Sequence, residues 1–300
     1  MTSTSYTGPK ASVDLCVEKL IAFSDYVVLR DAKAQSRKPG LMPLPTARGE
    51  RLRVRDDFTL CSEYAVSPDY GARFLDITKD PNEIHAREHI VPGAMNVAKM
   101  LLPVEILAPG LKINALRAKF TAAAFYGERT VNAMRWQYRD ETSVHIDVTA
   151  YQMQRPVATA SLSAEICPDF ARIQEIKERK VNQDELERVV SFLEVLGVEP
   201  EAYFDKDGLV DFTYPFAFMA SLPPGAIVRE FEGQGGMINV LSLDLGDAAK
   251  MPITGRAGPE VRLEEGRLRQ SFRRIVTTIV DGIVTYYRGA AVVNPIASFQ

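Results

Sequence analysis

A chain of 300 residues with 46% hydrophobic and 25% charged residues has the make-up of a globular protein of one large domain or two ordinary ones. Its net charge of −3 and pI near 5.8 give no electrostatic basis for binding nucleic acid or an anionic membrane surface. Three cysteines without a C-x-x-C pair and three histidines in all argue against a metal site and fit a reducing compartment.

The opening MTSTSYTGPKASVD lacks a basic region followed by an apolar run, so no secretory signal is read there. No stretch reaches the roughly eighteen apolar residues of a membrane span, and the expectation is a cytoplasmic protein. Residues 1–10 read as a loose tail. Residues 11–34 carry Val13, Cys16, Leu20 and Phe23 at helical spacing, with Ser12 as a cap. Residues 35–53 are basic and rich in Pro and Gly, an exposed connection. Cys16, Cys61 and Cys167 read as small, partly buried side chains.

From Val54 to Phe74 the pattern shifts toward strand. The run Asp80-Pro81-Asn82-Glu83-Ile84-His85 follows, built from residues that favour turns. An acid and an imidazole on so short a segment can face one small volume, which a general acid/base pair requires. Pro92-Gly93 then precedes the apolar run AMNVAKMLLPVEIL and marks a helix start, with Pro103 expected to end or kink that helix. Lys112–Phe125, Thr130–Tyr138, Ser143–Tyr151 and Val157–Ile166 follow as candidate strands. An apolar helix followed by antiparallel strands predicts a curled sheet around one buried helix.

Residues 168–200 read as a charged, solvated connector helix stopped by Gly197. Beyond it the chain echoes itself. Leu222-Pro223-Pro224-Gly225-Ala226-Ile227 follows Val91-Pro92-Gly93-Ala94-Met95, Ile238-Asn239-Val240-Leu241 follows Ile113-Asn114-Ala115-Leu116, and Arg273–Tyr287 parallels Ser143–Ala158 with a turn at Asp281-Gly282. The shared order points to duplication of one module. Aligned on Pro-Gly, His85 falls on Ala217 and Asp80 on Phe212, so the second module carries no acid/base pair. No nucleotide-binding glycine motif appears in a strand-to-helix setting, and Gly233-Gln234-Gly235-Gly236 lacks a following Lys-Ser/Thr.

Val66-Ser67 through Phe74, Thr78, Asp80, Asn82, Ile84 and His85 spell V-S-x(6)-F-x(3)-T-x-D-x-N-x-I-H. This resembles the signature of the MaoC-like (R)-specific enoyl-thioester hydratases and dehydratases. The spacing from Ser67 to His85 agrees without a gap, while Lys79 and Glu83 stand where that family usually has Gly and Pro. The resemblance implies an α+β double hot-dog: an N-terminal helix and connection over 1–53, a first module with the motif over 54–170, a helical connector over 171–205, and a degenerate module over 206–300 that shapes the acyl pocket near Ala217 and Met219. In several double hot-dog relatives the motif lies in the C-terminal half; here it lies in the N-terminal half. The stretch AREHIVP between His85 and Gly93 is also shorter than in MaoC-like proteins, which opens the pocket, alters substrate choice or abolishes activity.

The chemistry implied is reversible hydration of trans-2-enoyl thioesters, or dehydration of (R)-3-hydroxyacyl thioesters, on coenzyme A or an acyl carrier protein, within fatty acid or polyketide metabolism. Asp80 and His85 would share one water, and which residue moves which proton stays open. Gly93 and Ala94, at the start of the buried helix, are candidate donors to the thioester oxygen, and Asn82 is placed beside the substrate to fix the turn. His89 reads as an exposed polar residue and His145 as a structural one. No metal or other cofactor is expected, and the chain is compatible with a homodimer. Two alternatives stand: a hot-dog acyl thioesterase, for which the helix offers only Glu105 as an acid, and a non-catalytic acyl-thioester-binding protein.

Overall fold

The computed structural model describes residues 26–29, 58–107, 111–139, 143–166, 181–198, 200, 213–230, 236–244, 251, 253, 258–265, 273–281 and 284–295. The tail, the Pro/Gly-rich connection, most of 11–34, the start of the connector, Cys16, Cys167, Phe212, Gly233–Gly235 and Gly282 lie outside them. Within 11–34, Tyr26–Leu29 is a strand, β1, paired antiparallel with β2 (Phe58–Tyr64), where a helix was expected.

The strand pattern read through to Phe74 stops at Tyr64. Ser67 has extended backbone, its side chain accepts from Tyr70 N at 3.3 Å, and Pro68 occupies the first helical position. These are the signals of a helix start. Helix α1 (Pro68–Thr78) buries Phe74 completely and ends on Lys79, a left-handed residue with φ 55° and ψ 42°. A short helix α2 (Ile84–Arg87) and then α3 (Gly93–Leu107) follow. Pro103 does not end α3, which runs on to Leu107. Along α3, Met95, Val97, Ala98, Met100, Leu101, Leu102 and Val104 are all buried, the pattern of a helix enclosed by its sheet.

Strands β3 (Leu111–Phe120), β4 (Thr130–Tyr138), β5 (Ser143–Gln152) and β6 (Arg155–Ile166) match the alternation in the sequence. Only β3 is shorter than expected, because the chain leaves the sheet after Phe120. Met153 and Gln154, at φ 51° and 63°, make the tight β5–β6 turn. Helix α4 (Gln183–Val195) is capped by Asn182, and Gly197 follows it at φ 71°. It is not solvated all round: Phe192 packs between Phe74 and Phe218, with ring centroids 5.8 and 5.0 Å away.

Helix α5 (Phe216–Glu230) places Pro223, Pro224 and Gly225 in its middle, so the second Pro-Gly is not a helix start. Both α3 and α5 have 15 residues and pack on each other; aligned by their starts, Gly93 corresponds to Phe216. Ala217 is therefore no counterpart of His85. The strand echo does hold, since Ile113 and Ile238 are each the third residue of their strands, β3 and β7 (Gly236–Asp244). With β8 (Glu260–Glu265), β9 (Arg273–Asp281) and β10 (Val284–Pro295), the described strands form one sheet in the order β1-β2-β4-β5-β6-β3-β7-β10-β9-β8. The two halves join where β3 pairs antiparallel with β7, from Ala115–Asp244 to Lys119–Val240.

Candidate active site

The motif begins where α1 ends. Lys79 N donates to Asp76 O at 3.1 Å and Asp80 N to Leu75 O at 2.9 Å, which turns the chain inward and leaves Asp80 only 9% exposed. Lys79 occupies the left-handed position that glycine fills without strain, and Arg229 of α5 donates to its carbonyl. Asp80 Oδ1 accepts from Asn82 N at 3.1 Å, and Asn82 Oδ1 accepts from Ile84 N at 3.3 Å, the entry to α2. His85 lies on α2 with Nδ1 3.2 Å from Ile90 O. A carbonyl can only accept, so Nδ1 carries the proton and Nε2 keeps its lone pair. The short stretch after His85 folds back on the sheet: Ile90 bridges Phe125, and Val91 N donates to Ala124 O at 2.8 Å.

Burial pushes the Asp80 carboxyl above its ordinary range, against the pull of His85, the Asn82 N–H and Arg229. Burial pushes His85 down, against the Asp80 charge and the bond to Ile90. Burial thus shifts both groups toward their uncharged forms, while the charge of each partner opposes the shift of the other.

Asp80, Asn82, His85, Gly93 and Ala94 all line one cavity of about 190 Å³. The sequence thus brings together five residues spread over two helices and a turn. A Cβ at Gly93 would lie 2.8 Å from the Phe120 ring, so a larger residue there would need that ring to move. Pro92 O accepts from Met95 N and Asn96 N at 3.0 and 3.2 Å, whereas Gly93 and Ala94, at the helix start, have no intrahelical acceptor for their N–H groups. Residues Ala122, Ala123 and Ala124, just past β3, form part of a mostly apolar wall.

Asn96 also lines the cavity and was not singled out from sequence; its signal is a lone amide within an otherwise apolar helical run. The second half contributes Pro224, Val228 and Ile238 to the lining. Ala217 and Met219, expected there, are instead fully buried in α5 and are not part of the lining. His89 is exposed at φ 53° and does not line it. His145 stands on β5 with Nε2 3.1 Å from both Asp147 Oδ1 and Ser161 Oγ. Glu105 caps α5, its two carboxylate oxygens accepting from Phe216 N at 2.7 Å and Ala217 N at 2.9 Å. Among the described residues no cluster of His, Cys, Asp and Glu could hold a metal, and no helix is long and apolar enough to cross a membrane.

No protein-family model matches the chain, and no curated protein matches it. Solved structures do. A MaoC-like dehydratase is similar over 78% of this chain and 96% of its own at 10% identity, with a TM-score of 0.57. A MaoC-like dehydratase from Phytophthora capsici is similar over 80% of this chain and 96% of its own at 10% identity, with a TM-score of 0.54. A candidate thioesterase from Novosphingobium aromaticivorans is similar over 80% of this chain and 96% of its own at 15% identity, with a TM-score of 0.51. At such identities the likeness is one of fold: the chain is an α+β hot-dog protein, with the architecture that dehydratases and thioesterases share.

Proposed function

We propose that the protein is a hydratase or dehydratase of short acyl thioesters, acting through Asp80 and His85. The observation that carries this reading is that the buried Asp80 carboxyl and the half-buried His85 imidazole border one cavity with Gly93 and Ala94 at the start of a helix. In the hydration direction His85 Nε2 takes a proton from water as its oxygen bonds to C3 of the enoyl group. Electrons move onto the thioester oxygen, where the Gly93 and Ala94 N–H groups stabilise the enolate. Asp80 then delivers its proton to C2, and proton transfer from His85 to Asp80 restores the pair. Dehydration runs these steps in reverse.

The cavity, about 190 Å³, is smaller than the roughly 300–1,000 Å³ of drug-sized sites, so it suits a few acyl carbons with the carrier outside. That carrier is coenzyme A or an acyl carrier protein. A thioesterase reading shares the fold, but Glu105, the acid it would draw on, is engaged at the start of α5.

The test follows loss of the conjugated enoyl absorbance with a short and a long trans-2-enoyl-CoA. The expected outcome is turnover favouring the short chain, reduced on the order of a hundredfold or more by Asp80→Asn or His85→Ala. Release of free thiol with the double bond intact would instead identify a thioesterase. Tight acyl-CoA binding with neither reaction would identify a binding protein.

A further inference from the structure

Asn96 is 4% exposed, lines the cavity and has no place in the acid/base chemistry. Its Oδ1 lies 3.2 Å from the Tyr64 hydroxyl, which donates to it. Burial holds the Tyr64 phenol well above its ordinary range, so it stays protonated throughout the working pH range. In this arrangement Oδ1 faces Tyr64 and Nδ2 is the opposite end of the amide. Among the described residues no group accepts from Asn96 Nδ2, the end left for the cavity. An amide N–H that borders the cavity is available to an acceptor that enters it.

Asn96 stands one turn beyond Gly93 on α3, and side chains on a helix lean back toward its N-terminus. Its Nδ2 therefore approaches the same end of the helix as the Gly93 and Ala94 N–H groups. An acyl thioester has one acceptor that belongs there, the carbonyl oxygen that becomes the enolate oxygen.

We propose that Asn96 is a further catalytic residue, whose Nδ2–H donates to the thioester oxygen alongside the backbone donors of the α3 start, and that Tyr64 is the positioning residue that aims it. This rests on the hydratase reading for its chemistry but not for its test. Donors that meet charge only as it develops act on kcat more than on KM.

Asn96→Leu is expected to lower kcat for trans-2-butenoyl-CoA about a hundredfold, with KM changed only a few-fold, and Tyr64→Phe to give a smaller loss of the same kind. Independently of turnover, infrared difference spectra of bound butyryl-CoA carrying a ¹³C thioester carbonyl report the hydrogen bonds to that oxygen. Wild-type protein should shift the carbonyl band to lower frequency, with part of the shift lost in Asn96→Leu and less of it in Tyr64→Phe. An unchanged bound-carbonyl band in Asn96→Leu, or a rise in KM at constant kcat, overturns the proposal. Should Asn96→Leu not fold, a wild-type band in Tyr64→Phe overturns the assignment of Tyr64 and with it the aim of the amide. Absence of enoyl turnover in the wild type would defeat the hydratase reading, while the infrared arm would still decide the role of Asn96.

Discussion

His85 faces burial, which disfavours its charged form, against the Asp80 carboxyl and the bond to Ile90, which favour it, and burial is the largest. A base must be unprotonated to act, so the acid limb of kcat/KM lies below 6.5, the ordinary histidine value. Acidification should leave activity intact through the range in which an exposed histidine charges, with loss only further down. Asp80→Asn removes the ionised form of Asp80, whose charge raises the His85 value, so the titration midpoint should not move up. Imidazole NMR resonances check both statements, and with three histidines in the chain assignment is direct. A midpoint at or above 6.5, or an upward move in Asp80→Asn, would contradict the proposed base. At this scale the sequence was informative because spacing is preserved on folding. Asp80, Asn82 and His85 stay within one turn and a short helix, so a pattern of types six residues long carries their proximity. Asn96 was hidden for the opposite reason. One amide in an apolar helix has no pattern, and only the hydroxyl of Tyr64, 32 positions away, gives it an orientation.

Among the elements, the strands of the first half were legible because alternation is a direct image of one buried face, as the pattern of β5 shows. The helix over Pro68–Thr78 lies largely within the stretch whose pattern reads toward strand, although Ser67 and Pro68 carry the signals of a helix start. In α5 the prolines pointed the wrong way. Proline disfavours a helix interior by removing a ladder N–H, yet Pro223 and Pro224 sit in a segment buried from Tyr214 to Val228, where packing outweighs propensity. The start of α5 is secured by Glu105, whose carboxylate takes the N–H groups of Phe216 and Ala217 at the positive end of the helix. Glu105→Ala leaves those two buried donors without their acceptor and should cost about 1–3 kcal/mol of stability. Thermal unfolding would measure that loss, while kcat per folded molecule, assayed well below the melting temperature, should stay at the wild-type level. A collapse of kcat in a folded Glu105→Ala protein would return Glu105 to the chemistry and favour the thioesterase reading.

On the scale of the whole molecule, the second half has more to do than cover the first. Its helix α5 reaches the motif at two places. Gly225 lies so close that a Cβ would stand 2.9 Å from Lys79 O and 3.0 Å from Asp80 Cα, and one turn further along Arg229 bonds the Lys79 carbonyl and adds its charge to the field at Asp80. The Pro-Pro-Gly read as a duplicated helix start is therefore a contact point between halves. Its glycine is explained by partners about 145 residues earlier, a relation that no local pattern carries. Phe192 strengthens the same joint by tying α1 to α5 through α4. Gly225→Ala tests this arrangement, because the added methyl meets backbone atoms that cannot rotate away. Either α5 or the motif turn must shift by a few tenths of an ångström, which should cost about 1–3 kcal/mol. A displaced Asp80 should reduce kcat at least tenfold, more than the stability loss alone accounts for at an assay temperature where the protein is folded. Arg229→Met, which leaves Gly225 in place, removes both the charge and the bond to the Lys79 carbonyl: the Asp80 titration moves up because a stabilising cation is gone. If Gly225→Ala lowered the melting temperature while kcat and its pH profile stayed at wild-type values, α5 would be a structural cover and the site would belong to the first half alone.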